Sequence, residues 1–148
     1  MEKHISNLHK LGLRSLPTNF GPLRNANANA RIKGQLGNTI ELWLRIEDEK
    51  IQQATFVTDG CHSSLVCGTL TAWIAEGKTI TEALQLTPTD VFRAAGEQVE
   101  AHCAILAIKT LRASLTSYLQ QQNSIGQQLQ KKEIVKPFLL NNLFKLKI

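Results

Sequence analysis

The 148-residue sequence has only three cysteines, an odd number, and no two of them stand two residues apart. That excludes a fully paired disulfide framework and the C-x-x-C pairs of redox and zinc-ribbon motifs. The opening MEKHISNLHK lacks the apolar core of a secretion signal, and no run approaches the roughly 18 apolar residues of a membrane span. These absences predict a cytoplasmic protein that does not enter a membrane, with thiols kept reduced for metal or sulfur chemistry. There is no G-x-S-x-G, no Walker loop and no H-E-x-x-H, so the usual nucleophile elbow, phosphate cradle and zinc-protease helix are excluded. Clustered basic residues interleaved with aromatics are missing too. The net charge of +5 belongs mostly to the end of the chain, where residues 119–148 carry five Lys and one Glu, while residues 1–118 carry 12 Lys and Arg against 11 Asp and Glu. A nucleic-acid-binding face is therefore not expected.

What is present fits one domain of ordinary size, followed by a tail. Residues 1–38 read as a short N-terminal helix and then an extended, turn-rich loop with Asn, Gly and Pro. From Thr39, Ile40, Leu42, Leu44 and Ile46 alternate with Glu41, Trp43 and Arg45, the period of a strand with one buried face. A polar turn at residues 47–50 leads into IQQATFVT as the returning strand, and a further strand near Ala30–Gly34 pairs beside the hairpin. After Gly60 the period becomes helical, with Leu65, Thr69, Ala72, Trp73 and Glu76 in phase and Gly77 as the stop. Thr79 with Glu82 forms a capping-box pattern, and Thr87, Pro88 and Asp90 mark a second helix start. A last helix opens near Glu100 and runs to about Tyr118, with Ala104, Ile108, Leu111 and Leu115 on one stripe. Strands followed by helices predict an α+β fold, a small antiparallel sheet of about three strands with helices on one face. The domain is assigned to residues 1–118. Residues 119–148 are read as a flexible Gln/Lys-rich tail whose end, PFLLNNLFKLKI, is either a docking helix or disordered.

The stretch FVTDGCHSSLVCGTL places Cys61 and His62 where a strand gives way to a helix, and His102 and Cys103 fall in the first turn of the last helix. Free N–H groups and the positive end of the helix dipole favour a thiolate at such places, the form that binds metal or receives sulfur. Cys67 is rotated about 240° from Cys61 and lifted about 9 Å along the axis, so it is expected as a buried small hydrophobe outside the site. A cysteine hydrolase built on Cys103 would need a histidine base from elsewhere, because His102 is its helix neighbour and is expected to point about 100° away.

Three segments, GNTIELWLRIEDEKIQQATFVTDGC, EGKTITEAL and AHCAILAIKTLRASLTSY, together resemble the iron–sulfur cluster scaffold family known as IscU or the NifU N-terminal domain. The similarity runs from about Asn19 to Tyr118. The resemblance implies the same small sheet covered by helices, a non-enzymatic scaffold or carrier, and a transient iron–sulfur cluster or an iron or zinc ion as cargo. It also implies a cysteine desulfurase and apo iron–sulfur proteins as partners, and a homodimer as one assembly. By resemblance Cys61, His102 and Cys103 are metal ligands, with His62 or water as a fourth, and Cys103 is the candidate persulfide acceptor, assisted by His102 through proton transfer or ligation. Asn38 stands where the family carries an aspartate in its "CGD" string, which reads Leu36, Gly37, Asn38 here, so one thiolate and one carboxylate are replaced. Residues Gly96–Glu100 replace the proline-rich chaperone-binding string of other members. These departures raise an alternative, a degenerate member that binds a partner or a structural zinc without building clusters.

Overall fold

The computed structural model describes residues 16–134. The expected short N-terminal helix and the PFLLNNLFKLKI end lie outside them. Three strands come first, β1 (Ala28–Lys33), β2 (Thr39–Glu47) and β3 (Lys50–Thr58), and four helices follow, α1 (His62–Ala75), α2 (Ile80–Leu84), α3 (Pro88–Ala94) and α4 (Ala101–Ile134). The strands form one antiparallel sheet in the order β1-β2-β3. This is the α+β architecture that the residue pattern predicts.

Alternation along β2 buries Ile40, Leu42, Leu44 and Ile46 and leaves Thr39, Glu41, Trp43 and Arg45 half-buried on the other face. The hairpin turns through Asp48 and Glu49, both at positive φ (53° and 61°), the backbone that matches the twist of paired strands. In β3 the alternation breaks at Gln52 and Gln53. The register shifts there, with Ile46 opposite Ile51 and Arg45 opposite Gln53, so Gln52 is the extra residue of a bulge. The bulge lets Ile51, Ala54 and Phe56 all reach the core. The outer edge of β3 is not left open. Ile51 N–H donates to Lys78 O (2.9 Å), Ala54 N–H to the Glu76 carboxylate (3.0 Å) and Phe56 N–H to Asn19 O (3.1 Å).

Helix α1 is buried more completely than its expected stripe. Every residue from Cys67 to Ala72 is buried, whereas Leu65 and Trp73 are only half-buried. Small residues make this burial feasible. A Cβ added to Gly68 would lie 2.4 Å from the Phe56 ring, so the helix rides directly on that side chain. Phe56 in turn meets Phe20 edge-on at 5.4 Å. Thr79–Glu82 and Thr87–Asp90 both form capping boxes, with Pro88 in the first turn of α3.

Helix α4 buries Ala104, Ile108, Leu111 and Leu115, as the stripe predicts, but it does not end near Tyr118. It continues to Ile134. Glutamine is a good helix former, no proline occurs between Pro88 and Pro137, and extending a nucleated helix costs far less than starting one. The chain divides into two compact units, Met1–Ser117 and Tyr118–Ile148. Within the second, Leu119, Ile125 and Leu129 are exposed. Among the described residues no helix is long and apolar enough to cross a membrane.

Candidate thiol and metal site

Two helix starts and one turn meet at one end of the sheet. Cys61 is the N-cap of α1, extended at φ −76° and ψ −175°, with its thiol exposed beside the first turn of the helix. The first turn of α1 is tied to the start of α4 by Glu100 N–H, which donates to Ser63 Oγ at 3.3 Å. The turn between β1 and β2 closes through Gly34 N–H to Asn38 O (2.6 Å), with Gly37 at φ +90°, a backbone that suits glycine. Leu36 lies in this turn and is 73% exposed, while Asn38 points inward.

At the centre stands Ser64, fully buried. Its hydroxyl lies 3.4 Å from Cys103 Sγ and 4.0 Å from Cys61 Sγ, and it accepts from Asn38 Nδ2 at 3.1 Å. The two sulfurs therefore cannot be farther apart than those two contacts laid end to end, which keeps them within about 8 Å, the relaxed reach of one metal with ~2.3 Å sulfur bonds. Asn38 Nδ2 also approaches Cys103 Sγ at 4.0 Å, and its Oδ1 is buried without a hydrogen-bond partner. A Cβ on Gly60 would fall 2.4 Å from Ser64 Oγ and 3.1 Å from Asn38 Cβ, so this packing needs the glycine before Cys61.

The three thiols differ in environment. Cys61 is exposed, and the Ser64 backbone N–H foremost holds it below the ordinary thiol range, with Ser63 N–H, the Ser64 hydroxyl and Cys103 adding to that pull against slight burial. Cys103 is buried, and that burial raises it, while the Ser64 hydroxyl pulls the other way. Cys67 is also buried and is pushed up to about 12, first by burial and then by the charges of the other two thiols. It takes no part in the cluster, as its helical phase predicts. His62 is exposed on the first turn and joins none of these contacts.

His102 departs from the direction expected of a helix neighbour. Its Nε2 lies 3.4 Å from Cys103 Sγ, not turned away from it, while Nδ1 lies 3.2 Å from Glu100 Oε2. The imidazole is long enough to fold back over its neighbour at the start of a helix, and Glu100 holds it there. A neutral ring that donates from Nδ1 to Glu100 leaves Nε2 free to accept the Cys103 proton. Beside it opens a pocket of about 380 Å³ lined by Leu36, Asn38 and His102 and flanked by Lys33 and Lys109. Among the described residues no three His, Cys, Asp or Glu side chains converge closely enough to hold a metal ion in this conformation. Cys61 and Cys103 are linked by Ser64, and His102 joins through Cys103. Sequence reasoning gave no role to Ser63, Ser64 or Glu100. The string TDGCHSS displays the serines, but only the packing of α1 against α4 tells which one faces the sulfurs.

Residues 11–125 match the family described as NifU-like N terminal domain. The chain belongs to that family. Among curated members, the iron–sulfur cluster assembly scaffold protein IscU of Aquifex aeolicus is 30% identical over 118 residues, covering 74% of this chain and 73% of the relative. The IscU 1 scaffold of Archaeoglobus fulgidus is 28% identical over 112 residues, again covering 74% and 73%. The fold matches that of a proposed iron–sulfur cluster assembly scaffold for the SUF system from Fervidobacterium islandicum, with TM-score 0.57, 20% identity, and coverage of 75% of this chain and 93% of that one.

Proposed function

We propose that this chain is an iron–sulfur cluster assembly scaffold or carrier that accepts sulfur on cysteine and holds iron or a transient cluster as cargo. The observation that carries this reading is the Ser64 hydroxyl in contact with both Cys61 and Cys103, two thiols from separate helix starts aimed at one place. Family membership supplies the chemistry expected there, and the relatives are named as scaffolds.

In this reading a cysteine desulfurase carries the sulfur as a persulfide. An attacking thiolate takes the outer sulfur, forming a new persulfide as the old S–S bond breaks, and the desulfurase cysteine leaves as a thiolate. No external electron donor is needed for that exchange. Cys61, exposed and lowered in pKa, is the thiol a large donor meets first. Cys103 accepts the sulfur by the same exchange, with His102 Nε2 placed to take its proton. Cys61, Cys103, His102 and Asn38 then face the cargo, which passes to apo iron–sulfur proteins. No substrate is turned over, so the role is that of a scaffold. Iron and zinc are both suited to thiolate and imidazole donors. A homodimer would bring two such sites together.

A second reading, a degenerate member holding a partner or a structural zinc, is favoured by Leu36 and Asn38. Anaerobic reconstitution separates the two. The unmodified chain should bind one ferrous or zinc ion but retain a [2Fe–2S] cluster poorly, while Leu36→Cys with Asn38→Asp should retain it better, read by visible absorption and by iron and sulfide counts. If neither protein binds metal and Cys103→Ser leaves sulfur transfer unchanged, the scaffold reading fails.

A further inference from the structure

We infer that Ser64 is itself a ligand, supplying an oxygen donor to the metal ion held between Cys61 and Cys103. The inference rests on the metal-holding reading above and adds a residue to it. Metal–sulfur bonds of about 2.3 Å and metal–oxygen bonds of about 2.0–2.2 Å, opened at the tetrahedral angle, place an oxygen and a sulfur ligand about 3.5 Å from each other. Ser64 Oγ stands 3.4 Å from Cys103 Sγ and 4.0 Å from Cys61 Sγ, already close to that edge length on both sides. His102 Nε2 meets the same Cys103 sulfur at 3.4 Å. Cys61, Cys103, Ser64 and His102 thus make a four-donor set in which Cys61 and His102 have the most ground to close.

The surroundings of Ser64 suit ligation. The hydroxyl is completely buried, so water does not compete for it. A hydroxyl oxygen has two lone pairs, and one is engaged by Asn38 Nδ2 at 3.1 Å. The other lone pair and the hydroxyl proton remain for the two sulfurs, at 3.4 and 4.0 Å, where either partner can donate. An N–H donated to a ligating oxygen orients it and stabilises its negative charge as the metal draws off the proton. The amide at position 38 performs this task, whereas a carboxylate there would need a proton to do so. Ser64 and Asn38 therefore act as a pair, with serine in the ligand shell and asparagine behind it. This pairing gives the chain an oxygen donor beside its two thiolates and His102, without a cysteine at position 36. Two other residues near this helix start have ligating chemistry: His62 is exposed, and the Asp59 carboxylate accepts from Thr39 N–H.

The test is anaerobic titration with Co(II), whose sulfur-to-metal charge-transfer bands count thiolates and whose visible bands report geometry. The full chain should bind one Co(II) with a two-thiolate spectrum. Ser64→Ala should weaken binding by about tenfold or more and alter the visible bands. Ser64→Cys should restore affinity and raise the charge-transfer intensity by about half, the gain expected from a third thiolate. Far-UV circular dichroism checks folding, and if Ser64→Ala does not fold, Ser64→Cys decides the matter alone. An unchanged affinity and spectrum in Ser64→Ala, or no added thiolate band in Ser64→Cys, overturns the ligand role and leaves Ser64 as a hydrogen-bonding spacer. Cys61→Ala and Cys103→Ala separate this failure from the broader one. Loss of Co(II) in both keeps the metal-holding reading intact, whereas undiminished binding in both, or no binding by the unmodified chain, overturns that reading and the Ser64 role with it.

Discussion

His102 Nε2 lies 3.4 Å from the sulfur of Cys103, its immediate neighbour on helix α4. Side chains one residue apart on a helix diverge by about 100°, so this contact depends on the imidazole reaching back while Glu100 holds its other nitrogen at 3.2 Å. Replacing His102 by Ala removes the nearest proton acceptor for a buried thiol. Alkylation of Cys103 near pH 7.5 should slow about tenfold or more, with Cys61 little changed, and Glu100→Gln should give a smaller slowing. Residue-resolved mass spectrometry after iodoacetamide treatment reads both. Equal rates for Cys103 with and without His102 would show that the imidazole is only packed against the sulfur.

The order of the three thiols along the pH axis follows from their surroundings. A lowered pKa supplies thiolate at lower pH, and a raised one withholds it. Cys61 should therefore label first as pH rises from 6, Cys103 later, and Cys67, at about 12, not at all below the pH at which the fold is lost. Rapid labelling of Cys67 in the folded chain would contradict its burial in α1.

Gly68 and Gly126 are both helical glycines, but their surroundings are opposite. At Gly68 an added methyl would meet the buried Phe56 ring at 2.4 Å, whereas at Gly126 it would meet nothing within 4 Å. Gly68→Ala should lose about 1–3 kcal/mol of stability despite its better helix propensity, and Gly126→Ala should gain about 0.5–1 kcal/mol of local helix stability. Urea unfolding measures the first and far-UV circular dichroism the second. A neutral Gly68→Ala would mean that α1 can lift from the sheet at little cost.

The glutamine-rich part of α4 carries its apolar side chains Leu119, Ile125 and Leu129 exposed, whereas Leu111 and Leu115 are fully buried. Ending the chain after residue 120 should leave Met1–Ser117 folded, with its unfolding free energy changed by less than about 1 kcal/mol. A loss above about 3 kcal/mol, the size of a large core deletion, would show that the removed residues dock on the domain.

Much of this fold follows from local rules that act within a few residues. Alternation from Ile40 to Ile46, the polar hairpin turn, the Gly after α1, and the caps at Thr79 and Thr87 each state their own element, because strand pleat, helix period and capping hydrogen bonds repeat at short, fixed spacings. The site was legible to the same extent. Cys61 and Cys103 stand out as thiols at helix starts, and Cys67 is set apart from them by helical phase alone.

Relationships across the chain were not legible. The bulge at Gln52 depends on how β3 must meet both β2 and the core, and the burial of α1 on nearly all sides depends on Phe56 fitting against Gly68. The far end of α4 lies at Ile134 and not near Tyr118, and the sequence does not mark it, because a glutamine run satisfies linker composition and helix propensity equally. At the site, the sequence by itself determined which residues bear chemistry: two cysteines, a histidine and an asparagine in place of an aspartate. Only the tertiary structure decided that Ser64, with no motif of its own, lies between the two sulfurs, and that His102 turns toward Cys103. Those contacts join residues 38, 61, 64 and 103, and no local period relates positions so far apart; three separate elements have to be packed together before the distances exist.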